Sequence, residues 1–213
     1  SVSYDLPENP SMMESAGRAF GLLQTRLDGY PADSLWETIP HFHDTSRRYQ
    51  AFLQAVRADS VGRAAGVQEE ILFWTRRHQD FSRLRPFLEK NLLPLRVTHN
   101  DTKLNNVLFD KDTHAPVCVI DLDTVMPGLS LYDFGDALRS GANTAAEDEI
   151  DLSKVSFSLE VYEAFTKGFL SQTSHILSPA EKELLPFSAK LMTMECGIRF
   201  LTDYLQGDVY FKI

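Results

Sequence analysis

Apolar residues in the first third of the chain recur at three- and four-residue steps, the period of a helix that buries one stripe. Met12, Ala16, Phe20, Leu23 and Leu27 form the first such run. Asn9-Pro10-Ser11 with Glu14 following predicts a helix start with a capping box, and Asp28-Gly29-Tyr30-Pro31 predicts its end. A loop through Pro40 carries Trp36, and His41, Phe42 and His43 follow it. A second helix is expected from Asp44 or Thr45, with Tyr49, Phe52, Leu53 and Val56 inward. A third spans about Val67 to Phe81, with Val67, Ile71, Trp74, His78 and Phe81 on one face. Arg85-Pro86 opens a short helix that Asn91 to Pro94 closes.

The period then changes. Leu95-Arg96-Val97-Thr98 reads as a short extended piece. Val107-Leu108-Phe109 and Val117-Cys118-Val119-Ile120 read as two strands of a hairpin joined by the polar stretch Asp110 to Pro116. Pro127-Gly128 reads as a turn. Helical spacing returns from Tyr132, with an acidic loop at Glu147-Asp148-Glu149. Val155, Leu159, Tyr162, Phe165 and Phe169 mark one helix, and Leu191, Met194, Ile198, Leu201 and Leu205 the last long one. The expected fold class is mainly α with a small β hairpin insert.

Composition narrows the partners. With 213 residues, 43% hydrophobic and 24% charged, the chain is long enough to bury a sizeable core. A net charge of −9 argues against a nucleic-acid partner, which needs a basic patch. No apolar run approaches a membrane span. Cys118 lies in an apolar strand-like run and Cys196 in a helical pattern, and both read as buried thiols, which points to a reducing, cytoplasmic compartment.

The candidate chemistry is concentrated in His99-Asn100-Asp101-Thr102-Lys103-Leu104-Asn105-Asn106 and in Asp121, fifteen residues beyond Asn106 at the end of an apolar run. Phosphoryl transfer needs a carboxylate that orients a hydroxyl and takes its proton, oxygen ligands for magnesium, and a cation near the transferred group. Asp101 fits the base, Asn106 and Asp121 the Mg²⁺ ligands, and Lys103 the cation. His99 fits a loop brace. Each residue alone is ordinarily a turn, cap or surface residue, and the order and spacing of the set carry the signal. Asp133-Phe134-Gly135 spells a triplet that binds magnesium in protein kinases, but Asp133 precedes a helical stretch and suits an N-cap. Asp123 stays open between contact with metal-bound water and a hydrogen bond to the loop. Asn100 stands where a protein kinase has an Arg, and only eleven residues separate Asp121 from Asp133, too few for a peptide-docking segment.

His99-x-Asp101-x-x-x-x-Asn106 with Ile120-Asp121 resembles the aminoglycoside phosphotransferase and choline kinase superfamily, which shares the protein-kinase-like fold. The resemblance implies ATP as co-substrate, Asp101 as base, Asn106 and Asp121 as Mg²⁺ ligands, and an Asp at position 133 that braces the catalytic loop. Three strings, Trp36 to Asp44, Asp121 to Gly128 and Glu195 to Leu205, are similar to the bacterial N-acetylhexosamine 1-kinase branch. That branch phosphorylates the anomeric hydroxyl of N-acetylglucosamine or N-acetylgalactosamine, and it implies that Arg199 and Tyr210 contact the sugar. From spacing alone, Glu195 and Arg199 read equally as a surface ion pair four residues apart, and Tyr210 as a packing residue. An aminoglycoside or other small amine or alcohol kinase, drawn by the acidic loop from Glu147 to Asp151, is the alternative. A ligand-binding relative without catalysis is a third.

The sequence holds no glycine-rich phosphate loop and no strand-borne Lys with a helical Glu partner. In the superfamily these lie in an N-terminal lobe ahead of a helix like that at residues 10–28. The resemblance therefore implies that residues 1–213 are the C-terminal, acceptor-binding lobe, inactive without a nucleotide-binding lobe.

Overall fold

The computed structural model describes residues 1–145 and 149–211. Seven α-helices and four short strands are described, in the order α1 (Pro10–Arg26), α2 (Thr45–Ala58), α3 (Gln68–Thr75), α4 (Arg85–Glu89), β1 (Arg96–Thr98), β2 (Val107–Phe109), β3 (Pro116–Val119), β4 (Met126–Gly128), α5 (Ser130–Gly141), α6 (Leu159–Thr173) and α7 (Pro179–Gln206). The fold is mainly α with a small β region, as the hydrophobic spacing predicts. Among the described residues no helix is long and apolar enough to cross a membrane.

Two apolar clusters are strung along α7. Its first half packs with α1, α5, α6 and β2 around Phe20, Phe109, Phe134, Phe165 and Phe169. Its second half closes over α2 and α3 around Phe52, Ile71, Phe81, Ile198 and Leu205. A helix of 28 residues reaches both because each residue adds about 1.5 Å of length. A capping box sets its start: Ser178 Oγ accepts from Glu181 N–H, and Glu181 accepts from Ser178 N–H. The α1–α6 contact depends on glycine, because a Cβ at Gly168 would overlap the Glu14 carbonyl and one at Gly17 the Phe165 carbonyl.

The strands form two antiparallel pairs. β1 pairs with β4, Arg96 opposite Gly128 and Thr98 opposite Met126. β2 pairs with β3, Val107 opposite Val119, with a register irregularity between Leu108 and Phe109. This second pair is the expected hairpin, ending one residue short of Ile120.

Several expectations need correction. Pro127-Gly128 is not a turn but part of β4. Proline is tolerated there because β4 is an edge strand, and Gly128 is needed because a Cβ would strike Thr98 Oγ1 and Asn100 Oδ1. The third helix ends at Thr75, not Phe81, and His78 is exposed. A continuous helix would carry Phe81 about 10 Å beyond Trp74. The turn brings the rings to 6.1 Å and stacks Phe81 on Tyr49. Helix α1 does start at Asn9, whose side chain caps Met12 N–H, but Glu14 is outside any box and pairs with Arg18 and Lys167. Cys118 is exposed because the β2–β3 pair is covered on one face only, Val107 and Phe109 being buried while Val117 is 61% exposed, and Cys196 on α7 is half-buried. Of the acidic loop, Glu147 and Asp148 lie outside the described residues. Glu149 and Asp151 pair with Lys154 at 3.5 and 3.8 Å.

Candidate active site

Residues 98–106 form a loop between β1 and β2 whose backbone is held nearly atom by atom. Asp133, 1% exposed, accepts the N–H groups of His99 at 3.1 Å and Asn100 at 2.8 Å, and the Gln24 amide at 2.7 Å. Asp133 lies inside α5, after the N-cap Leu129, so the N-cap reading is wrong and the loop brace is what the geometry supplies. Burial pushes its carboxyl pKa up, and the three donors work against that shift. One turn on, Asp136 accepts Thr102 N–H at 2.9 Å, while Thr102 Oγ1 donates to the Asp133 carbonyl at 2.6 Å. Asn100 takes a left-handed backbone, φ 66°, which asparagine tolerates better than most residues. Its side chain donates to the Thr124 carbonyl at 2.9 Å and accepts from Thr98 Oγ1 at 2.9 Å.

His99 is fully buried and links the two strand pairs. Asp101 N–H donates to its Nδ1 at 3.3 Å, so Nε2 carries the proton and donates to the Ile120 carbonyl at 2.9 Å. Ile120 N–H in turn donates to the Asn106 carbonyl at 2.9 Å. The residue after Ile120 is Asp121. It has a left-handed backbone, φ 59°, and an exposed side chain. His99 thus ties the loop of Asp101 to the strand end that precedes Asp121.

Around Asp101 the structure brings three of the expected residues together. Asn106 Nδ2 donates to the Asp101 carbonyl at 2.8 Å and to its carboxylate at 3.1 Å. Lys103 Nζ lies 3.7 Å from the same carboxylate. With both amide hydrogens used on Asp101, Asn106 Oδ1 receives no hydrogen bond among the described residues, and neither does the Asp121 carboxylate. Among the described residues no group of three or more His, Cys, Asp or Glu can hold a metal. A two-ligand oxygen set such as Asn106 and Asp121 still suits Mg²⁺, which keeps waters and phosphate oxygens in its remaining positions.

Asp101 and Lys103 open onto a cavity of about 1170 Å³ that Arg199 and Tyr210 also line. Asn106, Asp121 and Asp123 are not among its lining residues. Asp123 contributes its backbone carbonyl, which accepts from Thr38 Oγ1 at 3.0 Å. Arg199 makes no surface pair with Glu195. Its guanidinium sits 5.6 Å from the ring centroids of Phe42, Tyr210 and Phe211. Tyr210 is exposed, but its backbone is fixed. Asp203 accepts the N–H groups of Val209, Tyr210 and Phe211 at 3.1, 2.8 and 2.9 Å, after Gly207 ends α7 at φ 98°.

Four residues of this site were given no role in it by sequence reasoning. Asp136 has a legible signal, lying one turn after Asp133 on the same helix face. Arg139 lines the cavity and donates to Asp136 at 2.9 Å. Glu195 is 1% exposed and bonded to His43, a partnership that its local spacing to Arg199 does not show.

The helical fold, its small β region and the braced loop are those of a kinase-like phosphotransferase. A family model described as a phosphotransferase enzyme family, APH, matches residues 4–165, and the chain belongs to that family. Membership implies a kinase-type enzyme that uses ATP and a small-molecule acceptor. The match ends within α6, so the α7 wall of the cavity lies beyond it.

Proposed function

We propose that the complete enzyme transfers the γ-phosphoryl group of ATP to the anomeric hydroxyl of an N-acetylhexosamine, GlcNAc or GalNAc. The observation that carries this reading is that Asp101 shares one cavity with Arg199 and Tyr210, the residues implied to hold the sugar. An acceptor lying between them presents a hydroxyl to the Asp101 carboxylate. Asp101 accepts the hydroxyl proton as the oxygen attacks the γ-phosphorus, the bond to the ADP oxygen breaks, and ADP leaves. Asn106 keeps the Asp101 carboxylate turned to its work through the 3.1 Å bond. Lys103 offsets charge on the transferred group. Asn106 Oδ1 and Asp121 would hold Mg²⁺, which neutralises charge on the nucleotide phosphates. Asp123 supports the turn after Asp121.

We further propose that this chain is the acceptor-binding lobe and that a nucleotide-binding lobe covers the β2–β3 side. Val117 and Leu122, 61% and 57% exposed on either side of Asp121, are the apolar surface such a lobe would bury. A reducing, cytoplasmic setting suits the exposed thiol of Cys118.

A cationic amine acceptor is the second reading, favoured by Glu70 on the cavity wall. Full-length protein incubated with ATP and Mg²⁺ plus GlcNAc, GalNAc, an aminoglycoside or no acceptor tests both. Sugar 1-phosphate and ADP in equal amounts are expected with the N-acetylhexosamines only. Product with the aminoglycoside alone selects the second reading, and no product with any acceptor supports a ligand-binding relative.

A further inference from the structure

His43 has no part in the chemistry above, yet it is buried and touches the catalytic loop. Its Nδ1 lies 3.1 and 3.2 Å from the two carboxylate oxygens of Glu195, and its Nε2 lies 3.1 Å from the Asn100 carbonyl. Both partners are acceptors only, so the ring satisfies both when each nitrogen carries a proton. Two carboxylates face it, Glu195 from α7 and Asp136 from α5, with the rings of Phe42 and Tyr132 at 4.4 and 5.0 Å. Burial works to strip its proton, but these carboxylates outweigh burial and raise its pKa.

The carbonyl that His43 holds belongs to the peptide joining Asn100 to Asp101. The N–H of that same peptide is held by His99 Nδ1 at 3.3 Å. A planar peptide bonded at both its oxygen and its nitrogen cannot rotate without breaking one bond, and its plane sets the direction in which Asp101 leaves the backbone. Asn100 at φ 66° sits in left-handed backbone, which this hold helps to keep in place. Glu195, the other partner, precedes Arg199 by one turn of α7.

We propose that His43, held by Glu195, is a positioning residue that fixes the Asn100–Asp101 peptide, so that the Asp101 carboxylate meets the acceptor hydroxyl, and that it couples this loop to the α7 turn bearing Arg199. The inference rests on the reading of Asp101 as the base. A strut that only stabilises the fold would leave kcat per folded molecule unchanged. A misaimed base costs turnover, and displacement of about 1 Å can cost about 10²-fold.

The test uses full-length enzyme with ATP, Mg²⁺ and its acceptor, at equal folded fraction by circular dichroism. In His43→Asn the side-chain amide reaches only toward Glu195, whereas in His43→Gln it reaches the Asn100 carbonyl. The expected result is about a 10²-fold fall in kcat for His43→Asn with acceptor KM within threefold, and recovery of at least tenfold in His43→Gln. Unchanged kcat in His43→Asn, or equal loss in both variants, overturns the proposal. Should His43→Asn not fold, Glu195→Gln decides. Loss of the carboxylate that raises the His43 pKa moves the alkaline fall of kcat to lower pH, and an unmoved profile overturns the proposal. Asp101→Asn measured alongside separates the two claims: full activity there removes the base, while loss there with normal kcat in His43→Asn removes only the positioning role.

Discussion

Asp133 Oδ1 accepts the backbone N–H of Asn100 at 2.8 Å, at the point where the loop turns left-handed ahead of Asp101. The aspartate of the Asp133-Phe134-Gly135 triplet is thus buried and committed to three donors, while Asp121 is exposed and has no donor among the described residues. Asp133→Asn turns an acceptor into a donor facing backbone N–H groups and is expected to cost about 3 kcal/mol in stability by thermal unfolding. Asp121→Asn is expected to leave unfolding unchanged and to raise the Mg²⁺ concentration at half-maximal rate severalfold. The opposite pattern would exchange the two roles.

Stability carries the sign of the His43 shift. A histidine whose folded pKa is raised contributes stability that is complete below its ordinary value of about 6.5 and is lost as pH climbs through the higher folded value. Thermal unfolding of the wild type is expected to weaken on that alkaline side, and Glu195→Gln to shift the weakening toward neutral pH. A wild-type midpoint that rises with pH over this range contradicts the assignment.

Helices α1 and α6 touch backbone to backbone at Gly17 and Gly168. Gly168→Ala is expected to cost about 1–3 kcal/mol in denaturant unfolding even though alanine favours helix, because the Glu14 carbonyl must move. A stabilised variant would mean that the two helices pack less closely than described.

Arg199 faces the cavity between three aromatic rings, unpaired with Glu195. Arg199→Ala is expected to raise acceptor KM about tenfold or more with kcat within threefold, measured at saturating ATP. An unchanged KM would remove Arg199 from the acceptor site.

Local order decides what could be read from the chain. The helices with steady spacing, such as α1 with Met12, Ala16 and Phe20, were legible because one stripe faces one core. The loop from His99 to Asn106 was legible because its residues are neighbours in sequence. What escaped depends on distant partners. Trp74 and Phe81 share a helical period, but the second apolar cluster needs them side by side, which ended α3 early. Gly128 looks like turn glycine, yet its reason is Thr98, thirty residues earlier. His43 and Glu195 meet across 152 residues, and the spacing of Glu195 to Arg199 suggested a local pair that the fold does not make.

The central claim is that Asp101 takes the proton from the acceptor hydroxyl. Steady-state transfer from γ-labelled ATP to N-acetylhexosamine by full-length wild-type and Asp101→Asn enzyme tests it directly. The expected result is a fall in kcat of about 10²-fold or more with acceptor KM little changed. A kcat near the wild-type value in a folded Asp101→Asn enzyme would contradict it.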